Sequence, residues 1–428
     1  MERGERVGLF CADVSGAFDR VDQRILGRKL RASGLHPQVV AFLISWLEDR
    51  VSQVVMGGAR SPEEKLADSV FQGTVLGPVL WNLFYEDARQ AANRLKFLES
   101  VFADDFICWQ GFGFRTTAAE IGLPAADRQE HVLGKMREVQ RELHLWGEAN
   151  RVLFDPSKES YHILHKRFSH GESFKLLGVM FDPALLMHEA ARAIATEAGW
   201  RLQTLLKVRR FFTMPELFLM YKAQILSYVE SGTPALYHAA PSVLNRIDRV
   251  QRRFLRELGF SEEAALNDYR LAPLESRRDM AMLGALHKVT LGIAPAQLMD
   301  LFPAKPTLPV VTSAHSFDRQ RLRHWRAPHD CQLHTEAHFQ SSNVLLRSLF
   351  GLVFCYNKLP QHVVAAKSVK EFQRHLQYGL MKERTLGCQI GNCCILVSGN
   401  KCRSRDSMHC SVNKAIATAA FSTPHMDS

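Results

Sequence analysis

The sequence predicts an α+β fold, in which a first part with strands and helices is followed by a mostly helical region. In the first part of the chain, short apolar stretches of strand length alternate with helical patterns. From about Leu185 onward helical patterns dominate, and a Pro-rich link at 302–309 interrupts them. We therefore divide the chain into four parts: 1–182, 183–300, 310–380 and a tail at 381–428.

The elements of the first part follow from local patterns. A buried strand at 7–12 ends at Asp13, and two helical patterns and a β-like stretch at 51–56 come after it. A loop containing Gln and Gly leads into a helix at Gly77-Pro78, where proline suits the first helical turn. The later elements are a hairpin around 101–108, a helix at 128–149, and strands at 161–164 and 174–181.

Two adjacent acids occupy the predicted corner of the hairpin. Asp104 and Asp105 lie between the apolar segments 101–103 and 106–108, a pattern typical of strand, turn and strand. Tight corners favour Gly or Asn, and neighbouring carboxylates repel each other. A bound cation would offset that repulsion. An ordinary exposed Asp-Asp turn is the alternative.

Composition and charge limit the function classes. The 428 residues carry a net charge of +10, which favours polyanionic partners. Residues 201–260 hold ten Lys or Arg against four Asp or Glu, and so supply +6 of that charge. The sequence shows neither a signal peptide nor an apolar run of membrane-spanning length, so we expect an intracellular protein without a membrane partner. Its nine cysteines, an odd number, argue against a disulfide framework.

The acids have the chemistry of a nucleotidyl-transfer site. This reaction uses two divalent cations about 4 Å apart, held by carboxylates. Mg²⁺ takes oxygen ligands and few protein groups. One carboxylate at a strand end and a pair on a neighbouring hairpin meet that need, namely Asp13 with Asp104 and Asp105. We therefore expect two Mg²⁺ ions here, with Mn²⁺ as a substitute.

Five segments resemble the motifs of reverse transcriptases and occur in the same order. They are the first palm motif at 10–19, the Gln-Gly motif at 70–80, the aromatic-x-Asp-Asp hairpin at 102–105, the next motif at 150–158 and the primer-grip strand at 176–179. Five ordered motifs are far more specific than one. The form of the second motif, and the segments 249–254 and 356–364, resemble the non-LTR (LINE-like) retroelement family. The resemblance covers scattered blocks of 7–380 and is strongest over 7–182.

This resemblance implies a right-hand polymerase palm, an antiparallel sheet with packed helices, in 1–182. It also implies a helical, basic, thumb-like region in 183–300 and a further helical region in 310–380. It implies an RNA-directed DNA polymerase that adds deoxynucleoside triphosphates to a DNA primer on an RNA template, in the nucleus or in a cytoplasmic ribonucleoprotein. Relatives carry a fingers domain, with cations for the triphosphate, and usually an endonuclease. Only twelve residues precede Asp13, so we expect both to be missing and the chain alone to extend primers barely or not at all.

The resemblance also implies residue roles. Asp13, Asp104 and Asp105 would bind the metals, with Asp104 the stronger ligand of the hairpin pair. Lys158 would lie near the pyrophosphate and could donate a proton. The nucleotide positions would be Phe18, as a gate against a ribose 2′-hydroxyl, and Gln72 with Gly73 beneath the incoming nucleotide and template. Core packing of the aromatic ring, an ordinary loop and a solvated lysine are the structural alternatives.

A second basic pattern lies on the predicted helix 244–258. Apolar residues recur there at helical spacing, and four arginines follow one another at intervals of 3, 4 and 3. The four are Arg246, Arg249, Arg253 and Arg256. Such a stripe suits the phosphates of a duplex, and a merely solvated charged face is the alternative.

Two questions stay open at this stage. The tail holds Cys388, Cys393, Cys394, Cys402 and Cys410 without the paired C-x2-C spacing of common zinc sites, so a zinc site and a poorly ordered tail are alternatives. The chain could also be a catalytically inactive remnant that only binds nucleic acid. A viral RNA-dependent RNA polymerase fits less well, because those enzymes typically show Gly-Asp-Asp. The oligomeric state is not predicted.

Overall fold

The computed structural model describes residues 5–66, 68, 70–113, 125–304, 329–334 and 343–385. The chain divides into two compact units, the first formed by 1–174 with 182–185 and the second by 175–181 with 186–428. Both helices and sheets are present, as predicted. The predicted Pro-rich link lies outside the described residues from residue 305 onward. The cysteine-containing part of the predicted tail, from residue 386 onward, lies outside them as well. Among the helices that are described, none is long and apolar enough to span a bilayer.

The first unit contains a four-stranded sheet with helices packed on it. Its described strands are β1 (Arg6–Asp13), β2 (Val51–Ser52), β3 (Val55–Met56), β4 (Ala59–Arg60), β5 (Glu64–Lys65), β6 (Leu98–Phe102), β7 (Asp105–Phe112) and β8 (Ser160–Leu164). Its described helices are α1 (Gln23–Ala32), α2 (Pro37–Leu47), α3 (Gly77–Tyr85), α4 (Arg89–Arg94) and α5 (Ala125–Asn150). The strand order is β6-β7-β1-β8, and all neighbouring pairs are antiparallel.

The central strand β1 fixes the register of this sheet. Phe10 lies opposite Cys108 of β7 and Tyr161 of β8. Phe10 and Cys108 are fully buried in one core that also includes Met136 of α5. Because side chains alternate along a strand, a shift by one residue would turn these apolar groups to solvent. The apolar pattern therefore also determines which residues stand opposite each other at the strand ends.

The turn between β6 and β7 differs by one residue from the predicted corner. The ladder pairs Phe102 with Asp105, so the turn consists of Ala103 and Asp104 while Asp105 begins β7. Ala103 has a φ of 56°. A left-handed conformation costs a non-glycine residue about 1–3 kcal/mol. The indole Nε1 of Trp81 donates a hydrogen bond to the Ala103 carbonyl oxygen at 2.7 Å and so stabilises this turn.

The predicted strand at 174–181 is a hairpin. The strands β9 (Phe174–Leu176) and β10 (Val179–Phe181) pair with each other through a turn at Leu177 and Gly178. Both turn residues have positive φ, 45° and 85°. The segment that resembles a primer-grip strand thus spans a tight turn, because a Leu-Gly pair supplies the backbone geometry of a reversal.

The second unit is helical in its described part beyond β10. Its helices there are α6 (His188–Val208), α7 (Met214–Met220), α8 (Ser227–Ser231), α9 (Thr233–Leu236), α10 (Pro241–Leu258), α11 (Glu262–Tyr269), α12 (Leu274–Thr290), α13 (Ala296–Leu301), α14 (Asn343–Leu346), α15 (Leu349–Tyr356), α16 (Gln361–Val364) and α17 (Val369–Thr385). A π-helical turn at 221–226 joins α7 to α8. Helices α6 and α10 share one apolar core, to which Leu202 and Phe254 belong.

Helix α10 is amphipathic in the way that the sequence predicts. Val243, Leu244, Ile247, Val250, Phe254 and Leu255 form its buried stripe. The helix begins at Pro241 and ends before Gly259, whose φ of 75° is the left-handed cap conformation that glycine adopts easily. Burying one face fixes the rotation of the helix and leaves its arginine face toward solvent.

Candidate active site

The acids of β1 and of the β6–β7 hairpin meet at one edge of the sheet. Asp13 ends β1, and Asp105 is its direct partner across the ladder. The N–H group of Val14 donates to the carbonyl oxygen of Asp104 at 3.3 Å, which keeps the turn beside the end of β1. Burial raises the pKa of the Asp105 carboxyl, and the charges of Asp104 and Asp13 raise it further. The three carboxylates therefore form one crowded acidic group.

A lysine predicted for the site is bonded to this acidic group. The ammonium Nζ of Lys158 lies 2.6 Å from Oδ2 of Asp13. The lysine side chain is 58% exposed, whereas that of Asp13 is only 13% exposed. The hydrogen bond and the charge of Asp13 raise the pKa of Lys158, so the ammonium stays charged at neutral pH. Lys158 is thus an ion-paired residue of the acidic group.

The turn that carries Lys158 is anchored on both sides. The N–H of Asp155 donates to the carbonyl oxygen of Asp13 at 3.0 Å. On the other side the Glu159 side chain is almost completely buried, and its Oε1 lies 2.6 Å from Nε2 of His144 on α5. A buried carboxylate needs such a partner. These contacts hold the lysine backbone in a fixed place beside β1.

A backbone hydrogen bond brings together the two segments that carry the residues predicted to contact the nucleotide. Phe18 is half-buried in a 3₁₀ turn that follows β1, and its ring centroid is 5.9 Å from that of Trp81. Its carbonyl oxygen accepts a hydrogen bond from Val70 N–H at 2.8 Å. Gln72 and Gly73 are exposed in the loop that follows, and Gly73 has a φ of 88°. This loop therefore begins directly beside Phe18.

Trp81 contacts three parts of the site, and this role was not predicted from the sequence. It is buried on α3 and contacts the ring of Phe18. Its Nε1 bonds to Ala103 in the acidic hairpin, and its ring stacks on Tyr85 at 4.9 Å. In the sequence it is only a large aromatic residue at helical spacing after Pro78, a pattern that predicts core packing. Three separate segments consequently depend on one indole for their positions.

Arg50 is a second residue that the sequence did not reveal. Its guanidinium carbon lies 3.9 Å from the ring centroid of Trp46 and 4.3 Å from that of Phe71. Its Nε donates to the carbonyl oxygen of Trp46 at 2.6 Å. Cation–π contacts of this kind contribute roughly 0.5–2 kcal/mol. Because Phe71 immediately precedes Gln72, Arg50 helps to hold the exposed loop.

Tyr85 places an unbonded hydroxyl beneath the acidic group. The residue is buried, and its Oη has no hydrogen-bond partner among the residues that the structure describes. Burial raises the pKa of Tyr85, and the charges of Asp104 and Asp13 raise it further. A buried hydroxyl without a partner is destabilising by about 1–3 kcal/mol.

We expect Tyr85→Phe to raise the free energy of unfolding by about 1 kcal/mol, because the variant removes an unsatisfied group and keeps the ring. Urea unfolding followed by tryptophan fluorescence measures the change. Tyr161→Phe is the control, since Tyr161 donates its hydroxyl to Gln140 and should lose about 1 kcal/mol. A loss of stability in Tyr85→Phe would show that this hydroxyl is bonded in the folded protein.

The acidic group has the donor chemistry for Mg²⁺. In the part of the chain that the structure describes, no group of three or more His, Cys, Asp or Glu side chains is arranged to hold a metal ion. Oδ2 of Asp13 contacts Lys158 instead. Mg²⁺ sites commonly use only one or two protein carboxylates and complete the shell with water and substrate phosphates. The crowded carboxylates of Asp13, Asp104 and Asp105 fit this requirement.

The predicted arginine stripe belongs to the second unit. Its four members are exposed on α10: Arg246, Arg249, Arg253 and Arg256. The acids of the same helix are paired elsewhere, Asp248 with Arg278 at 2.6 Å and Glu257 with Arg209 at 3.5 Å. Within the described residues no carboxylate pairs with the stripe. Its positive charge is therefore available to an external anion.

Known proteins resemble parts of this chain, although no protein-family model matches it. The RNA-directed DNA polymerase from mobile element jockey of Drosophila funebris is 26% identical over 276 residues, which are 60% of this chain and 29% of that protein. The Pol polyprotein from type-1 retrotransposable element R2 of Popillia japonica is 26% identical over 115 residues, 24% of this chain and 19% of its own length.

A third relative is the probable RNA-directed DNA polymerase from transposon X-element of Drosophila melanogaster, 26% identical over 57% of this chain and 27% of that protein. The chain spans less than a third of the length of these curated relatives. Among solved structures, telomerase from Candida albicans in complex with a TWJ fragment of telomeric RNA covers 60% of this chain and 48% of its own, with a TM-score of 0.31 and 14% identity. That similarity is too low to establish a common fold. The curated relatives nevertheless confirm the predicted resemblance, and over about 60% of its length the chain is a homologue of the RNA-directed DNA polymerases of non-LTR retrotransposons.

Proposed function

We propose that this chain carries the polymerase core of a non-LTR reverse transcriptase and acts as an RNA-directed DNA polymerase. The observation that carries the proposal is the meeting of Asp13, Asp104 and Asp105 at one sheet edge, with Lys158 bonded to Asp13. In a homologue of such polymerases, a group of carboxylates at one sheet edge supports metal-dependent nucleotidyl transfer. The first unit would be the palm, and the thumb would lie at the start of the second unit.

The acidic group would hold two Mg²⁺ ions, with Mn²⁺ as a substitute. When bound, such ions activate the primer 3′-hydroxyl and stabilise the charge on the leaving pyrophosphate. Asp13 and Asp104 would be the principal ligands, and Asp105 would complete the group from the first position of β7. Burial raises the pKa of Asp105, and the charges of Asp104 and Asp13 raise it further. This repulsion among the acids favours the binding of positive charge.

Lys158 would act on the triphosphate side of the reaction. Its ammonium neutralises Asp13 in the free protein, and its pKa is raised by that contact. With the three acids holding metal ions, the Lys158 ammonium would be available to phosphate oxygens. The anchored turn would keep Lys158 beside the acidic group, where it would donate a proton to the pyrophosphate.

The remaining predicted residues would select and position the nucleotide. Phe18 presents a half-buried ring that rests against Trp81, and a fixed ring at this place would exclude a ribose 2′-hydroxyl by contact. Gly73 has a positive φ and open space where a Cβ would stand. That space allows the backbone of Gln72 and Gly73 to approach a base or sugar closely.

Single-nucleotide addition tests the proposal. With enzyme in excess over an RNA-templated DNA primer, we expect slow addition of one deoxynucleotide that requires Mg²⁺ or Mn²⁺. Asp13→Asn should reduce the rate by about 10²-fold or more, since it removes an oriented charge. Asp19→Asn is the matched control, because Asp19 is an exposed acid on the neighbouring 3₁₀ turn. Addition that proceeds without a metal ion, or that Asp13→Asn leaves unchanged, would contradict the proposal.

A further inference from the structure

One surface of the second unit combines exposed aromatic rings with basic side chains. Trp200 and Lys207 lie on the solvent side of α6, two helical turns apart. The helix ends at Val208, and the chain continues through a 3₁₀ turn that carries Arg210 and Phe211. The ring of Trp200 is 71% exposed and that of Phe211 is 68% exposed. We call Trp200, Lys207, Arg210 and Phe211 the basic–aromatic surface.

The charges of this surface are not neutralised from within the described residues. No ion pair of Lys207 or Arg210 is formed there, and the guanidinium carbon of Arg210 lies 4.7 Å from the ring centroid of Phe211. Three acids near this surface, two in sequence and Glu257 through its partner Arg209, are engaged elsewhere. Glu197 binds Arg201 at 2.8 Å, Glu257 binds Arg209, and Glu216 accepts hydrogen bonds from Thr213 at the start of α7. The surface therefore offers positive charge, the exposed ring of Trp200 and the face of Phe211 that Arg210 does not cover.

Open rings beside uncompensated cations match the chemistry of an unpaired nucleic acid strand. Bases of a single strand stack on aromatic side chains, and its phosphates pair with Lys and Arg. A regular duplex offers only the phosphates, since its bases are already stacked on each other. Trp200 and Lys207 are about 10 Å apart along the axis of α6, which corresponds to roughly three stacked nucleotides.

The polar residues between the rings argue against an apolar protein partner. Gln203 and Thr204 are exposed on α6 between Trp200 and Lys207, so Trp200 is separated from Phe211 and its exposed neighbours Phe212 and Met214. Protein-binding patches are usually contiguous apolar areas. Rings separated by polar and basic side chains instead suit a strand whose bases and phosphates alternate.

We propose that the basic–aromatic surface binds a single-stranded nucleic acid segment, with bases stacked on Trp200 and Phe211 and phosphates paired with Lys207 and Arg210. This inference goes beyond nucleotidyl transfer and does not rest on it. The binding needs no metal ion, so it is measured without one. A failure here leaves nucleotide addition untouched, and a failure of nucleotide addition leaves this binding untouched.

Fluorescence anisotropy with labelled U₁₂ and dT₁₂, on the full chain in EDTA, tests the proposal. We expect Trp200→Ala with Phe211→Ala to weaken binding by at least about 10-fold, because each stacked ring supplies affinity. The slope of log K against log salt should not change, since no charge is lost. Lys207→Ala with Arg210→Ala should instead reduce that slope by about 1.4, at roughly 0.7 for each phosphate contact on a single strand.

Two matched variants separate stacking from general damage. Trp200→Tyr with Phe211→Tyr keeps the ring faces and should bind within a few-fold of the wild type. Phe42→Ala removes a ring that is 66% exposed on α2 of the first unit, and it should bind like the wild type. Equal losses on U₁₂ and dT₁₂ support stacking with phosphate pairing. Unchanged binding by the alanine pair, an equal loss in Phe42→Ala, or loss of self-association in sedimentation without loss of strand binding would overturn the proposal.

Discussion

Asp104→Asn is expected to slow single-nucleotide addition by about 10²–10³-fold while the chain stays folded. Asp104 stands in the turn of the acidic hairpin beside Asp13 and Asp105, and its charge raises the pKa of Asp105. Removing one oriented charge from such a group typically costs about 3–4 kcal/mol of transition-state stabilisation. The same change relieves like-charge repulsion, so the free energy of unfolding should stay equal or rise slightly. Nucleotide-addition rates and urea unfolding measure the two effects.

The metal dependence of this variant distinguishes a ligand from a structural residue. A titration with Mg²⁺ should show weaker binding in Asp104→Asn than in the wild type. Asp105→Asn should show the smaller loss, since Asp105 begins β7 within the ladder whereas Asp104 lies in the open turn. If Asp104→Asn and the wild type have equal Mg²⁺ affinity and equal rates, the assignment of the acidic group is wrong.

Arg249→Ala combined with Arg253→Ala is expected to weaken binding of an RNA–DNA duplex by about 10–10²-fold at 0.1 M salt. Each phosphate contact releases counterions, so the slope of log K against log salt should fall by about 0.9 per arginine on a B-form duplex. A hybrid duplex will differ somewhat. Both side chains are exposed on α10, so folding should not change. Anisotropy of a labelled duplex across a salt series provides the affinity and the slope.

Arg137→Ala is the control for the stripe. Arg137 is exposed on α5 and is paired with Glu130, so removing it should leave the slope as it is in the wild type. If the double variant retains both affinity and slope, the arginines of α10 form only a solvated face.

Most element positions were predictable because they depend on local patterns. β1 ends at Asp13 as predicted, and α3 begins at Gly77-Pro78 as predicted. The predicted position of the hairpin turn was wrong by one residue, because a tertiary contact determines where the turn lies. Ala103 adopts its positive φ with a hydrogen bond from Trp81, 22 positions away, and a local pattern cannot reveal such a contact.

The acids of the candidate site were predictable from the sequence, whereas the residues that hold them in place were not. Apolar runs predicted Asp13 at a strand end and Asp104 with Asp105 on a hairpin, and the register pairs Asp13 with Asp105 at the start of β7. The pairing of Lys158 with Asp13 joins residues 145 positions apart. Arg50 binds Phe71 through a ring face, and such contacts follow no spacing rule. The roles of all these residues, the metal ions and the four-part domain division stay predictions.

The acidic group and Trp81 differ in how much a substitution would destabilise the fold. This difference sets the order in which a gene copy that is no longer under selection would lose them. Asp104 and Asp105 carry like charges beside each other, so a neutral replacement of either costs folding little once selection for synthesis ends. Trp81 is different, because truncating a buried aromatic residue typically costs about 3–5 kcal/mol. Drift would therefore erase the acids early and spare the residues that fold around them. A decaying lineage would pass through a period in which its products are inert as polymerases yet still well-folded, positively charged proteins.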